Sequence, residues 1–466
     1  MNLVKRNFCC VLLLVCFVIV SPKNLCAEDF NQENATENIF LAIKNGDIPA
    51  VKKLAKSKEQ VNLQTSLGNT PLMYATMVGN KQVADILLSK KTDVNIQNNN
   101  GNTALMYAAK NNNLDMVKAF IKKGADINIE NNYKISAFFL AARSGNKEIV
   151  KYLASLGANP NNTNSAGVSP FIACACLGNS DTLKYLVEDL KIDINSKDNN
   201  MNNALIASAS SYIYTDVVKN VICDIKADFS DDREYYDYIH NFKNNGTGIT
   251  EYLIDKGINI NDTNIDGYNA FMVAIIENDI DKAEYLAKKG INILQKNKDG
   301  KNALILATED SNLNAISFLV KLDKEIINST NADGKTALIL AIEAGNFDII
   351  NLLLNNYIDV TIADKDDSTA LIYATKAGYI KIMTDLIKGH NANINTADKK
   401  GNTPLIYAAE AGNIETVKTL IKLKADTTLV NKDGLTAYEV AKSFSDDEHK
   451  EVEKFLKNRT PQKATK

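Results

Sequence analysis

Apolar and polar positions in this chain recur with a period of about 33 residues. Each copy starts at a short anchor, such as Thr70-Pro71-Leu72 or Thr403-Pro404-Leu405, in which a polar residue precedes a small residue and a large apolar one. The middle residues of the anchors are at positions 71, 104, 137, 170, 204, 270, 303, 337, 370, 404 and 437. The one step of 66 is twice the period, so the phase continues across it. Such a period predicts stacked units that bury their apolar faces against their neighbours.

Residues 98–130 show the elements that one unit should contain. Gly101 suits a tight turn, and Thr103 can cap the helix that follows through its hydroxyl. This first helix should pack through Ala104, Leu105, Ala108 and Ala109. It should end near Asn112, because Asn and Gly tolerate the left-handed conformation; other copies have Gly79, Gly145, Gly178, Gly345, Gly378 and Gly412 there. A second helix, from about residue 114 to 123, has one apolar face formed by Leu114, Val117, Phe120 and Ile121.

The unit of turn, helix, turn, helix and extended loop resembles the ankyrin repeat. The run Gly401-Asn402-Thr403-Pro404-Leu405-Ile406-Tyr407-Ala408-Ala409 matches the start of the family pattern, and Gly124-Ala125-Asp126 matches its exit loop. The resemblance covers about residues 37–457. It implies an all-α solenoid of about 13 helix-turn-helix units with hairpin-like loops. It also implies a non-catalytic scaffold that binds another protein through its concave face and its hairpin tips.

One position departs systematically from the family pattern. Ankyrin repeats usually have a His directly after the anchor Leu, where it tethers neighbouring loops by hydrogen bonds. Here that position is apolar until the last copy: Met73, Met106, Phe139, Ile172, Ile206, Met272, Ile305, Ile339, Ile372, Ile406 and then Glu439. We expect apolar packing to replace the tether, since burying one aliphatic side chain contributes about 1.5–3 kcal/mol and one net hydrogen bond about 1 kcal/mol. The rigidity of the loops stays open.

The unit between Ala204 and Ala270 is irregular over about residues 210–248. Period counting centres a degraded unit on Asp237, with a legible second half at Ile249–Gly257. Aromatic residues are favoured at interfaces. Two interpretations remain: an insertion whose rings repack over an imperfect repeat, or a recognition site. Its candidate residues are Tyr212, Tyr214, Tyr235, Tyr236 and Tyr238.

The hairpin tips are a second candidate surface, because their residues vary between copies. Tyr133, Lys134, Ile265 and Tyr268 differ from the polar residues around them. We expect them to be exposed and available to a partner.

The N-terminal residues have the segment order of a secretory signal peptide. Lys5 and Arg6 precede the apolar run Phe8–Val20, whose 13 residues are few for a membrane-spanning helix of about 20. We therefore expect a signal peptide at 1–27, a linker at 28–36, the repeat array at 37–458 and a polar tail at 459–466. The protein would be exported to the periplasm or the extracellular space; an uncleaved membrane anchor is the alternative.

The amino-acid composition gives few candidates for catalytic, metal-binding or nucleic-acid-binding residues. The net charge of −3 gives no basic surplus for nucleic acid. His240, His390 and His449 are far apart in sequence, lack metal-site spacing and are expected at the surface. We interpret the abundance of Asn, Lys and Ile as a coding bias.

We predict no enzyme activity, no cofactor and no metal, in a monomer that binds another protein. The alternative function is a periplasmic or surface binder of a small molecule or glycan, using the tyrosine-rich segment.

Overall fold

The structure is a computed structural model that describes residues 38–210, 247–356 and 358–459. Its contacts form two units, which meet in sequence between Lys256 and Gly257. The signal peptide, the linker, nearly all of the irregular segment and most of the polar tail lie outside the described residues, so these assignments stay predictions. None of the described helices is long and apolar enough to cross a membrane.

The first unit contains thirteen described helices. They are α1 (Ile39–Lys44), α2 (Ile48–Leu54), α3 (Lys58–Val61), α4 (Pro71–Met77), α5 (Lys81–Leu88), α6 (Ala104–Lys110), α7 (Leu114–Lys122), α8 (Ala137–Arg143), α9 (Lys147–Ser155), α10 (Pro170–Cys176), α11 (Ser180–Glu188), α12 (Ala204–Ala209) and α13 (Gly248–Asp255).

The second unit contains thirteen more within the described residues. They are α14 (Ala270–Ile276), α15 (Ile280–Lys288), α16 (Ala303–Glu309), α17 (Leu313–Leu322), α18 (Lys324–Ile327), α19 (Ala337–Ala344), α20 (Phe347–Leu354), α21 (Ala370–Lys376), α22 (Ile380–Gly389), α23 (Pro404–Glu410), α24 (Ile414–Lys422), α25 (Ala437–Lys442) and α26 (Asp447–Leu456).

Each repeat pairs a short inner helix, which follows the anchor, with an outer helix. Inner helices pack on the inner helices of neighbouring repeats within each unit, as α6 does on α4 and α8. In the described ranges, β pairing is limited to three isolated bridges, Glu130–Ser136, Thr330–Thr336 and Ala363–Thr369, each closing a hairpin loop. The predicted all-α repeat solenoid is confirmed.

Local sequence signals explain where the inner helices begin and end. The Thr103 hydroxyl accepts a hydrogen bond from the backbone N–H of Met106 at 3.4 Å, and Asn203 caps α12 in the same way at 2.9 Å. After the inner helices, Asn112 and Gly145 have φ of 54° and 74°, the left-handed conformation that closes a helix. The predicted caps and glycine stops are confirmed.

The position after the anchor is a core position, as expected. From Met73 to Ile406, all ten apolar residues there are 2% exposed or less. Glu439 of the last repeat instead accepts a hydrogen bond from the Thr436 backbone N–H at 2.8 Å. The predicted outer-helix stripe needs one correction, because Met116 is buried on α7 whereas Leu114 and Ile121 are only half-buried.

The sixth repeat differs from the expected organisation. Its inner helix α12 packs directly on α13, and the hydroxyls of Ser208 and Thr250 are 3.1 Å apart. On the outer side, Glu188 at the end of α11 forms an ion pair with Lys256 at 3.0 Å. The Tyr252 hydroxyl on α13 donates to the same carboxylate at 3.1 Å. Helices α12 and α13 therefore pack as one inner–outer pair, so the described residues form 12 repeats; residues 211–246, where the degraded unit was expected, lie outside the described residues.

The spacing of the anchors does not reveal the pairing of α12 with α13, because the additional length between these helices is about one period. In the fifth repeat the inner helix begins at Pro170 and the outer helix at Ser180, ten residues later. In the sixth repeat the corresponding starts are Ala204 and Gly248, which are 44 residues apart. The additional 34 residues keep the later anchors in phase, so the sequence could not distinguish an extra repeat from an insertion.

We expect the array to fold without the insertion. A variant in which residues 211–247 are replaced by Leu-Gly-Asn, the turn that follows Cys176, should keep its far-UV circular dichroism signal per described helix and a cooperative urea transition, because α12 and α13 already contact each other. A control variant that also lacks α13 should unfold at lower urea, since α11 and α12 lose a neighbour. Equal unfolding of both variants would contradict the assignment of α13 to the sixth repeat.

Candidate partner-binding surfaces

An Asn or Asp side chain fixes the start of every described hairpin loop except the first, where the Thr65 hydroxyl accepts a hydrogen bond from the Asn69 N–H at 3.1 Å. The Asn98 side-chain oxygen accepts hydrogen bonds from the backbone N–H groups of Asn100 at 3.0 Å and Asn102 at 2.9 Å. Asp364 does the same for Asp366 and Ser368 in the second unit. The other residues with this role are Asn131, Asn164, Asp198, Asn264, Asn297, Asn331, Asp398 and Asn431.

Neighbouring hairpins are joined through their backbones. The Asn99 N–H donates to the Leu67 carbonyl at 3.0 Å, and the Ser165 N–H donates to the Tyr133 carbonyl at 2.9 Å. In the second unit Lys432 donates to Lys400 at 2.9 Å. Hairpin side chains add to this, since the Asn132 amide donates to the Asn99 carbonyl at 2.9 Å.

These hydrogen bonds show what connects neighbouring loops in place of the expected histidine tether. Backbone groups and asparagine side chains tether the loops in place of the family's histidine. The abundance of Asn therefore has a structural use, which our interpretation as a coding bias overlooked.

The predicted tip residues have different environments. Tyr133 is 38% exposed and Ile265 47% exposed, as expected. Lys134 is also exposed and has a φ of 58° at the hairpin tip. The expected exposure of Tyr268 is wrong: it is half-buried, and its hydroxyl accepts a hydrogen bond from the Asn297 amide at 3.0 Å. Burial raises the pKa of the Tyr268 phenol.

The five candidates in the tyrosine-rich segment, Tyr212, Tyr214, Tyr235, Tyr236 and Tyr238, lie outside the described residues. Their role stays a prediction. In sequence these tyrosines lie between α12 and α13, the inner and outer helices of the sixth repeat.

The inner helices of the second unit carry a group of side chains that sequence analysis did not single out. Tyr373 on α21 donates its hydroxyl to Asp364 at 2.6 Å, and Tyr407 on α23 donates to Asp398. Burial and the carboxylate acceptor raise the pKa of Tyr373, and the same causes raise the pKa of Tyr407 to about 12. Burial opposes ionisation of Asp364, but hydrogen bonds from Tyr373 and from two backbone N–H groups lower its pKa overall.

Lysines connect these rings to the preceding repeats. The Lys376 ammonium is 3.9 Å from the centre of the Tyr407 ring and 5.8 Å from that of Tyr373. The Lys335 ammonium lies 5.3 Å from the Tyr373 ring and 2.6 Å from a Glu343 oxygen. Both distances to Tyr373 are within the range of cation–π attraction.

One repeat earlier, Lys301 pairs with Glu309 at 2.8 Å. We name Lys301, Glu309, Lys335, Glu343, Tyr373, Lys376 and Tyr407 the inner-helix row.

A sequence signal for this row exists. Three and six residues after the middle of the anchor, the copies differ from one another, with Leu306 and Glu309 in one and Tyr373 and Lys376 in another. These positions vary while the anchor repeats, which is the pattern of a variable surface on a constant framework.

No group of His, Cys, Asp and Glu among the described residues could hold a metal ion. Cys174 is buried, and its thiol donates to the Ala142 carbonyl at 3.1 Å; burial raises its pKa. Neither Cys174 nor Cys176 forms a disulfide within the described residues.

His449 is not a surface residue, which corrects the expectation for the histidines. It is 8% exposed, and its ring stacks on Phe444 at 4.1 Å between centres. One ring nitrogen is 2.7 Å from an Asp446 oxygen and the other is 2.9 Å from the Glu410 carbonyl. Burial disfavours the charged ring, but these two acceptors outweigh it and raise the pKa of His449. The residue ties α26 of the last repeat to α23.

These features define a class of protein, a repeat array in which helix pairs are joined by tethered hairpins. A family model described as ankyrin repeats (3 copies) matches residues 39–131, 130–198, 205–297, 293–364 and 359–431. The chain belongs to the ankyrin repeat family. Ankyrin repeats are general protein–protein interaction modules, and the family is typically non-catalytic. No curated protein matches the chain.

The hairpin tethers predict a difference between two glycines that share a positive φ. Gly101 has φ of 80°, and a Cβ there would lie 2.8 Å from Asn131 Cα in the next hairpin; Gly124 has φ of 89° with nothing within 4 Å. Gly124→Ala should cost about 1–2 kcal/mol from backbone strain alone. Gly101→Ala should cost about 1–3 kcal/mol more, because the neighbouring backbone must move. Urea unfolding of both variants measures this difference, and equal costs would argue against close hairpin stacking.

The His449 contacts predict a pH dependence at the C-terminal end of the array. Because its pKa is raised on folding, the stabilisation is complete below about pH 6.5, the ordinary value, and is lost as the pH rises through the raised value. The melting temperature should therefore fall over this range, by an amount corresponding to about 1 kcal/mol, the net contribution of one typical hydrogen bond. In His449→Gln, which has no titrating ring, this fall should be absent. A wild-type profile that is flat from pH 6 to 9 would rule out the charged ring.

Proposed function

We propose that this protein is a non-catalytic scaffold that binds a protein partner through the inner-helix face and hairpin tips of its ankyrin array. The observation that carries the proposal is the inner-helix row, in which aromatic and charged side chains cover the inner helices of four successive repeats. We further propose that the protein is exported, as its N-terminal sequence suggests.

The row supports protein recognition because its side chains are held before a partner arrives. Tyr373 and Tyr407 have their hydroxyls fixed by carboxylates, and Lys376 lies against both rings. Binding to a surface that is already ordered loses less conformational entropy than binding to a mobile one. Tyrosine also provides a large contact area with few rotatable bonds.

The hairpin tips would offer further contacts within each unit. Tyr133 and Ile265 expose apolar area from loops that backbone hydrogen bonds tether to their neighbours. The tyrosine-rich segment would add selectivity under this proposal. Binding of a small molecule or glycan by that segment is the alternative carried from the sequence, and no described contact favours it.

The proposal is tested by cross-linking residues 28–466 in cell extract, identifying the captured protein and measuring its affinity for variants. Tyr373→Ala combined with Lys376→Ala and Tyr407→Ala should weaken binding by at least about tenfold, as loss of central aromatic and cationic contacts does. The matched control is Tyr285→Ala with Lys289→Ala, which removes a cation–aromatic pair of 5.3 Å on the outer helix α15.

Two outcomes are informative beyond this comparison. Unchanged affinity in the inner-helix variant, with its circular dichroism intact, would falsify the assignment of the row. Loss of binding only in the variant without residues 211–247 would move recognition to the tyrosine-rich segment.

A further inference from the structure

We propose that the first three repeats carry a second, separate surface that binds anionic phospholipid membranes. This basic ridge is formed by six lysines at or just after the ends of three successive outer helices; one of these lysines, Lys58, is the first residue of the short helix α3. They are Lys56, Lys58, Lys90, Lys91, Lys122 and Lys123.

The charge of this region differs from that of the rest of the chain. Residues 38–126 contain 12 Lys or Arg and 6 Asp or Glu, whereas the described residues from 257 onward contain 24 and 30. The whole chain has a net charge of −3. The excess of positively charged residues is therefore local to repeats 1–3, and the net charge of the whole chain does not reveal it.

Hydrogen bonds hold the three exit loops together as one edge. The Asn62 side chain accepts from the Asp93 N–H at 2.8 Å and donates to the Lys91 carbonyl at 3.2 Å. One repeat later, Asn95 accepts from the Asp126 N–H at 2.8 Å and donates to the Gly124 carbonyl at 3.0 Å. The lysines therefore lie on or next to loops whose spacing is set by the repeat.

The six side chains are exposed, and none forms an ion pair within the described residues. The nearest carboxylates in sequence are Glu59, Asp93 and Asp126, so the six lysines keep an excess of three positive charges; Asp93 and Asp126 also accept hydrogen bonds from the backbones of Asn95 and Asn128. A cation at a helix C-terminus interacts favourably with the helix dipole, and one lysine per helix would suffice for that. The consecutive pairs Lys90-Lys91 and Lys122-Lys123 therefore provide more positive charge than the interaction with the helix dipole requires.

The composition of the ridge favours a lipid surface over a protein partner. Protein interfaces are enriched in aromatic residues and depleted in lysine, whereas these loops contain six lysines and no aromatic residue. Clustered lysines attract anionic headgroups, and an exposed apolar residue beside them can enter the headgroup region. Leu63 fits the second role, since it follows Asn62 in the first loop and is 52% exposed.

The position of the ridge along the chain agrees with this assignment. The apolar run Phe8–Val20 ends 17 residues before Asn38, where the described array begins. A chain of that length spans at most about 60 Å. A retained anchor would therefore hold repeats 1–3 near the bilayer, and after cleavage the lysines would supply the attraction alone.

The test is co-sedimentation of residues 28–466 with vesicles of phosphatidylcholine alone or mixed equally with phosphatidylglycerol. Binding should be at least about tenfold stronger to the anionic vesicles and should fall steeply with added salt, because exposed charges are screened. The variant with Lys90, Lys91, Lys122 and Lys123 changed to Gln should lose this preference. The matched control changes Lys321, Lys388, Lys422 and Lys424 to Gln, which removes the same charge from the ends of outer helices of the second unit and, at Lys424, from the loop that follows.

Each other outcome overturns the proposal. Equal binding to both kinds of vesicle, or equal loss in the ridge and control variants, would show that the ridge is not a specific lipid surface. Binding to soluble polyglutamate but not to anionic vesicles would assign the ridge to an acidic protein instead. Leu63→Ser should weaken vesicle binding without changing polyglutamate binding, which separates apolar insertion from charge.

Discussion

The structure depends on one constraint: a single repeat cannot bury its apolar side chains by itself. An inner helix of six to eight residues has neighbours on both sides within its unit, and its small residues allow close approach. The residue after the anchor, such as Phe139 or Ile172, is fully buried where successive repeats meet. This stacking explains why the anchor repeats so faithfully, because every copy packs on another copy and a change in one must fit two others.

The polar tethers between repeats follow from the same stacking. Each hairpin places backbone N–H and carbonyl groups beside those of its neighbour, and an Asn or Asp at the start of the loop satisfies two more N–H groups. The choice between the two residues has a chemical consequence. The Asn98 amide donates to the Tyr107 hydroxyl at 3.0 Å, whereas Asp364 accepts from Tyr373. An aspartate at this point therefore orients the phenol as a donor and raises its pKa, which links loop structure to the properties of the inner-helix row.

Features encoded within one repeat could be predicted from sequence, and features that depend on contacts between distant segments could not. The turn at Gly145 and the cap at Thr103 depend on a few adjacent residues, and both were predicted. The pairing of α12 with α13 depends on contacts across an insertion of one period, which leaves no trace in the spacing of anchors. Tyr268 and His449 looked exposed because nothing near them in sequence reveals Asn297 or Glu410 as partners. Only part of the inner-helix row could be predicted. Its variable positions are visible in the sequence, whereas its ion pairs and ring contacts depend on the three-dimensional structure.

The division between constant and variable positions also explains how one chain can carry two unrelated surfaces. In a stacked array each repeat contacts only its neighbours, so energetic effects of substitutions stay local. The inner-helix row lies in repeats 8–11 of the second unit and the basic ridge in repeats 1–3 of the first, and they use different faces, inner helices in one case and exit loops in the other. No residue is shared between them. Their functions can therefore be separated by mutation, which a compact domain with a single core rarely permits.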